Sequence, residues 1–449
     1  MKLAYNVQDK PKFGQLIIFA FQQLLAILAA TIAVPAIVGN GMQQSAALFG
    51  AGVGTIVYLL FTKFRSPVFL GSSFAFLGSM FAAFAGAAST SIGYAGIIIG
   101  AFFAGLVYVV IAIIVKLAGV KWINKLMPAV VIGPTVAIIG LSLAGNAIGD
   151  SLAGAFDAAA SAYVMKTNVW VALICALVTL ITVIICSVYG KKMTKLVPFI
   201  IGILAGYLVA AIFTVIGIKT GNDALKVIDF SVFKGMKIFS VPAFTFIEGF
   251  KGLKAIDAKY IATIAVAYVP VAFVVFAEHI ADHKNLSTVI EKDLLEEPGL
   301  HRTLLGDGVG SMVGAFFGGC PNTTYGESVG CVAITGNASV VTILCTAIMA
   351  IVISFFGPFV TFLSTIPSCV MGGVCITLYG FIAVSGLKML QPVDLNDNGN
   401  LFTASVILIA GIGGMTLKIG KVTITEIAAA LILGIIVNLI VSAKKGKAE

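Results

Sequence analysis

Cys320-Pro321-Asn322-Thr323-Thr324-Tyr325-Gly326-Glu327-Ser328-Val329-Gly330 is a polar interruption between two apolar runs, with a proline, two glycines and one carboxylate. An unbroken helix in lipid satisfies its own backbone. A Pro-Asn-Thr-Thr-Tyr-Gly run at that depth frees N–H and C=O groups that only protein or a water-filled cavity can cover. A broken segment carrying an acid is the sequence pattern of a transport site. The competing reading is a short outside loop, and Glu327, several residues into the next apolar run, weighs against it.

Composition supplies the setting. Hydrophobic residues make up 59%, charged residues 10%, and the mean hydropathy is +1.09. A soluble domain is about a quarter charged, so the chain reads as an all-α polytopic membrane protein. The net charge of +9 is spread over short loops, which does not suit a nucleic-acid partner. The apolar run 13–38 is too long for the core of a cleavable signal. Cys175, Cys186, Cys320, Cys331, Cys345, Cys369 and Cys375 all lie in apolar surroundings with no Cys-x-x-Cys pair. They read as small buried residues and not as a disulfide or metal framework.

A spanning helix needs about 20 mostly apolar residues. That rule predicts fourteen segments, 13–38, 44–62, 67–85, 94–117, 127–147, 168–189, 196–217, 260–284, 302–318, 322–337, 338–357, 364–388, 400–417 and 424–443. With the N-terminus (Lys2, Lys10, Lys12) in the cytoplasm, alternate loops should be basic. Lys63 and Arg65, then Lys116, Lys121 and Lys125, then Lys191, Lys192 and Lys195 fall on that side, as do Lys284, Lys292, Arg302, Lys388, Lys444, Lys445 and Lys447. The opposite loops near 39–43, 86–93 and 357–363 carry no Lys or Arg. Both termini are therefore expected in the cytoplasm.

Pro128-Ala129-Val130-Val131-Ile132-Gly133 in the fifth segment matches Pro367-Ser368-Cys369-Val370-Met371-Gly372 in the twelfth. Seven segments separate the copies, an odd number, which predicts two inverted repeats of seven. The tenth segment should then have a partner in the third. Pro67-Val68-Phe69-Leu70-Gly71-Ser72-Ser73-Phe74-Ala75-Phe76 is such a Pro-led, Gly/Ser-rich opening. Two discontinuous segments would aim unpaired helix N–H groups at a ligand between them.

Few ionisable residues lie in the predicted spans. They are Glu278, His279, Asp282 and His283 in the eighth segment, Asp307 in the ninth and Glu327 in the tenth. Acids at such depth mark substrate or ion pathways. Glu278 and Asp282, four residues apart, share one helix face, and His279 and His283 share its neighbour. Lys284 next door makes His283 read as a headgroup-solvated residue. Asp307, in Leu-Gly-Asp-Gly, reads equally as a site residue or as an interhelical hydrogen-bonding residue. His279-Ile280-Ala281-Asp282-His283 has the His-x-x-acid-His spacing of some zinc peptidases. Zinc catalysis needs a third ligand and an open position, and the remaining histidine, His301, lies across a charged loop. Nothing suggests the charge rings or repeated filter of a channel.

Ala277-Glu278-His279-Ile280, Asp293-Leu294-Leu295 with Pro298-Gly299-Leu300-His301-Arg302, Pro321-Asn322-Thr323-Thr324-Tyr325-Gly326-Glu327 and Leu70-Gly71-Ser72-Ser73-Phe74-Ala75-Phe76 resemble the bacterial uracil permeases of the nucleobase–ascorbate transporter family. The likeness covers nearly the whole chain. It implies a proton-coupled uracil symporter, not an enzyme, that works without a cofactor by elevator-type alternating access. It implies a core domain (1–126 and 259–358), a gate domain (127–258 and 359–449) through which two copies dimerise, and segments 3 and 10 that open as short strands. By the same resemblance Glu278 and Glu327 accept hydrogen bonds from the ring N–H groups, and backbone N–H of Phe74 and Gly326 meets a carbonyl oxygen. Phe74 and Tyr325 wall the ring, and Ser73 and Thr324 complete the implied binding set. Glu278, Asp282 and Glu327 form the implied proton-coupling group. The sequence departs from the family pattern where Asp282 replaces a histidine found in some members and where Gln23 replaces a first-segment histidine; both departures bear on the proton path. The alternatives are another nucleobase such as xanthine on the same fold and, from a different class, a membrane metalloenzyme.

Overall fold

The computed structural model describes residues 3–119, 122, 127–157, 162–165, 168–191, 193–419 and 422–445. Lys2, Lys121, Lys125, Lys192 and Lys447 of the charge pattern, and the domain boundary at 126, lie outside the described residues.

The long apolar runs become helices because lipid leaves the backbone no other donor or acceptor than its own. The chain begins with α1 (Phe13–Val38) and α2 (Gln44–Phe61), then a strand β1 (Leu70–Ser72), a short 3-10 turn and α3 (Leu77–Ala85). Next come α4 (Thr90–Ala118), α5 (Ala129–Ser142), α6 (Ala144–Ser151), the hairpin β2 (Gly154–Asp157) with β3 (Ala162–Met165), α7 (Val169–Tyr189) and α8 (Pro198–Thr220). After a looping stretch follow α9 (Thr245–Gly252), α10 (Ala258–Ile290), α11 (Leu300–Gly318), β4 (Asn322–Thr324) and α12 (Gly326–Thr335). The chain ends with α13 (Val340–Ile353), α14 (Gly357–Ser364), α15 (Ser368–Lys388), α16 (Asn398–Ile412), the hairpin β5 (Leu417–Ile419) with β6 (Val422–Ile424), and α17 (Glu426–Lys445). Among the described residues, eight helical stretches are long and apolar enough to cross a membrane, the pair α5–α6 counting as one. α3, α13, α16 and α17 add shorter apolar helices. The molecule is an all-α polytopic membrane protein.

Side-chain caps start several helices where the sequence offers an Asx or Ser residue. Asp257 accepts from Tyr260 N at 2.7 Å, Asp397 from Asn400 N at 3.0 Å and Ser339 from Val341 N at 3.2 Å, each supplying an acceptor to an orphan N–H of the first turn.

β1 and β4 pair antiparallel at the centre, with Leu70 opposite Thr324, Gly71 opposite Thr323 and Ser72 opposite Asn322. α11 is followed by Gly319, whose φ of +75° lets the chain turn straight into Cys320-Pro321 and β4. The pairing is held in a slot between α2 and α11, where small residues let two backbones come close. A Cβ on Gly50 would stand 2.5 Å from the Gly314 carbonyl oxygen, and one on Gly54 would stand 2.7 Å from that of Gly310. The Asn322 side chain occupies the same slot and donates from Nδ2 to Gly50 O at 3.2 Å. On the far side of α12 an N-terminal strap fastens the end of that helix. Ala4 N donates to Gly336 O at 2.8 Å, and Ala338 N to Tyr5 O at 2.9 Å.

Gly50→Ala tests that slot. The added methyl meets rigid backbone, so the change should cost about 1–3 kcal/mol, the usual range for overpacking. A thermal-unfolding midpoint of the detergent-purified variant equal to that of the parent chain would contradict the close approach.

Candidate functional site

The two strands leave the helix to open a gap, and their own polar groups are satisfied by side chains. Thr55 Oγ1 accepts from Leu70 N (2.9 Å) and donates to Leu70 O (3.2 Å). Ser328 Oγ accepts from Phe69 N (3.1 Å) and from Gln23 Nε2 (2.5 Å). Tyr325 donates its hydroxyl to Ser72 O at 2.8 Å, and Ser73 N donates to Pro321 O at 2.8 Å. α12 then starts at Gly326, so Gly326 and Glu327 sit in its first turn, where N–H groups lack an intrahelical acceptor.

A cavity of about 390 Å³ lies beside that helix start. One wall carries Glu278 and Asp282 of α10 with Gly326 and Glu327 of α12. The opposite wall is apolar and comes from α5, α8 and α15, with Val136, Phe199, Phe381 and Ile382. The Phe199 and Phe381 rings meet edge to face at 5.9 Å. Lys195, Ile334 and Ser385 line the cavity and are exposed, so its mouth opens at their end.

Of the residues expected from the sequence, the structure brings Glu278, Asp282, Gly326 and Glu327 together on this cavity. Thr324 stands behind them and donates from Oγ1 to Asp282 Oδ2 at 2.8 Å. Ser73, Phe74 and Tyr325 are set back from the lining. Ser73 is 1% exposed. Phe74 turns its ring edge-on to Tyr379 at 5.7 Å. The Tyr325 ring lies over Gly71, where a Cβ would come within 2.2 Å of it. Gln23 is buried and serves Ser328. Phe199, Phe381 and Lys195 were absent from the expected set. Two phenylalanines inside apolar runs carry no sign that distinguishes a cavity wall from a lipid-facing surface, and Lys195 gave only a loop charge.

The other face of α10 is closed. The His279 and His283 rings stack at 4.0 Å, and both residues are fully buried. His279 donates from Nδ1 to Asp307 Oδ2 at 2.7 Å, and its Nε2 is 3.0 Å from Thr303 Oγ1. His283 donates from Nδ1 to the His279 carbonyl at 2.8 Å, and its Nε2 is 2.7 Å from the Tyr58 hydroxyl. The expectation that His283 is solvated by headgroups is therefore overturned, because Tyr58 of α2 covers it. Asp307 takes the second of its two readings, an interhelical hydrogen-bonding residue. All four imidazole nitrogens of the zinc-like spacing are engaged, so neither ring presents a nitrogen to a metal.

The family model Xan_ur_permease, a permease family, matches residues 14–420. The chain belongs to that family. It is 41% identical to the uracil permease of Bacillus caldolyticus over all of this chain and 97% of that protein. It is 37% identical to the uracil permease of Bacillus subtilis over all of this chain and 98% of that one. Against the uracil permease of Escherichia coli the figure is 33%, covering 97% of this chain and 94% of the other. As a permease the chain is a transporter and not an enzyme. Among solved structures, the transmembrane domain of the cyanobacterial bicarbonate transporter BicA superposes with a TM-score of 0.64 at 16% identity, covering 98% of this chain and all of that one. The murine anion transporter Slc26a9 gives 0.67 at 12% identity, covering 98% of this chain and 69% of that one. These two show the fold alone.

Asp307→Ala leaves the buried Nδ1 of His279 without its acceptor, a loss of about 1–3 kcal/mol. The unfolding midpoint of the purified variant should fall, whereas Lys195→Ala, at the exposed mouth, should leave it unchanged. Equal midpoints for both would contradict the interhelical role of Asp307.

Proposed function

We propose that the chain imports uracil across the bacterial inner membrane by proton symport, holding it in the cavity that the eighth and tenth segments share with α5, α8 and α15, with the third segment set behind it. The observation that carries this is the two-sided lining, with carboxyls and a helix start on one wall and aromatic and aliphatic groups on the other. Uracil alternates N–H donors and C=O acceptors around a flat ring. Glu278 and Glu327 answer the donors, N–H groups near Gly326 answer an acceptor, and Phe199 and Phe381 cover a face. The uracil permeases among its relatives support the same substrate. Protons enter through the acids. Glu278 and Asp282, one helical turn apart, put two acids on the cavity wall, and a symporter needs binding of ion and substrate to share a coupling free energy.

The reading extends to fourteen segments in two inverted repeats, a core domain (1–126 and 259–358) and a gate domain (127–258 and 359–449). Two features support it. β1 and β4, each followed by a short helix, pair with one another. The helices that hold the repeated Pro-led motifs, α5 and α15, pack closely, a Cβ on Gly133 standing 2.9 Å from Gly386 O. The polar wall then belongs to the core and most of the apolar wall to the gate, so sliding one past the other carries the site across the membrane, with a dimer through the gate as the fixed frame. The mouth beside Lys195 opens toward the side that the basic loops assign to the cytoplasm, where both termini also lie.

Cytosine reverses two positions of the hydrogen-bonding pattern, facing a buried carboxylate with an acceptor. That mismatch costs about 1–3 kcal/mol, so cytosine should compete with labelled uracil on the purified protein about fivefold to a hundredfold less well. Equal competition by cytosine would remove uracil as the substrate.

Glu278→Gln and Glu327→Gln keep shape but turn a donor toward a donor. Losing a hydrogen bond to a charged group costs about 1.5–3 kcal/mol, about tenfold or more in Kd. Either variant binding uracil like the parent chain would take that residue out of the site.

Asp282→Asn should still exchange uracil by counterflow yet fail to accumulate it on a proton gradient. If Asp282 only braces Thr324, the variant would lose thermal stability and keep accumulation, and the coupling role would be wrong.

A further inference from the structure

At the first residue of β4 a second and much smaller cavity of about 10 Å³ lies between α4, α10 and α11. Most of its lining is apolar or glycine, but three residues bring polar side chains to it, Tyr108 of α4, Ser311 of α11 and Asn322 of β4. They are 4%, 5% and 2% exposed. The Tyr108 hydroxyl, Ser311 Oγ and Asn322 Oδ1 are each buried without a hydrogen-bond partner in the protein. Asn322 uses only its other end, donating from Nδ2 to Gly50 O at 3.2 Å. Unsatisfied buried polar atoms are rare and costly one at a time, and three of them converge on one cavity here.

We propose that this cavity binds a single ordered water molecule that ties β4 to α4 and α11. A water needs about 10–15 Å³ of such space and two to four polar partners, and the cavity offers that volume and three partners. The roles also match. Tyr108 has a hydroxyl proton to give, Asn322 Oδ1 can only accept, and Ser311 can do either. A water accepts from Tyr108, donates to Asn322 and exchanges with Ser311, so that all three are satisfied at once. A small cation would not do this, because it leaves the hydroxyl protons of Tyr108 and Ser311 unsatisfied. Among the described residues the lining also holds no carboxylate to balance a buried charge. The water sits at the first residue of the strand that leads to Gly326 and Glu327, and its work is to hold that strand sideways against two helices.

Pulsed radiolytic labelling of the full chain in nanodiscs, read by mass spectrometry, tests this, because a bound water delivers hydroxyl radical to a residue that bulk solvent cannot reach. Tyr268 is the internal control. It lies on α10, is fully buried, has an unpartnered hydroxyl and does not line the cavity. Tyr108 is expected to be modified severalfold faster than Tyr268, and Ser311→Val, which puts methyl groups into the water's volume, to bring it down to the control rate. Where Ser311→Val does not fold, Ser311→Ala removes one partner and should lower the rate in the same direction. Equal rates for Tyr108 and Tyr268 in the parent chain would overturn the proposal, as would a Tyr108 rate indifferent to the Ser311 substitution. A Tyr108 rate that falls when sodium chloride replaces choline chloride would assign a cation and overturn it too.

Discussion

Backbone that leaves the helix at membrane depth has to find hydrogen-bond partners inside the protein, and in this chain it finds them in the pairing of Leu70–Ser72 with Asn322–Thr324. Much of the surrounding sequence follows from that demand. Thr55 and Ser328 serve the strand edges that no neighbouring strand covers. Gly71 lacks a side chain because the Tyr325 ring lies over it. Glycines line the α2–α11 slot because Asn322 must fit between them. Two strands that stop after three residues each also leave a helix start close to the centre of the molecule, and a helix start is a cluster of unpaired donors. The polar wall of the cavity is thus a by-product of how the break is made tolerable.

α10 divides its work by face. Spacing of four residues puts Glu278 and Asp282 on the cavity side and His279 and His283 on the packed side. On the packed side the polar atoms are matched one by one to Asp307, Thr303 and Tyr58. On the cavity side Asp282 accepts from Thr324, which couples the helix to β4. The packed back, where every imidazole nitrogen of His279 and His283 has a partner, supports a front whose acids line the cavity.

The sequence made the polytopic helical class legible through composition, and the break at 320–330 through the improbability of Pro-Asn-Thr-Thr-Tyr-Gly within a continuous helix. The acid spacing in α10 was legible for the same local reason. What local pattern could not show depended on partners far along the chain. His283 beside Lys284 looks solvated until Tyr58, 225 residues away, is seen to cover it. Asp307 was undecided because its partner His279 stands on another helix, 28 residues away. Tyr325 looks like a ring wall, but its hydroxyl needs an acceptor when buried and finds one at Ser72 across the strand pair. Phe199 and Phe381 are two of 32 phenylalanines, and only the three-dimensional packing distinguishes them as the opposite wall.

In the mechanism proposed above, the acid-lined cavity moves uracil together with protons. Uptake of labelled uracil into proteoliposomes holding only the purified chain, under a proton gradient or a sodium gradient imposed separately, tests it most directly. Inward proton gradients should drive accumulation above the external concentration, a protonophore should abolish it, and a sodium gradient alone should do nothing. Accumulation driven by sodium with no proton gradient, or no uracil uptake under either, would contradict the account.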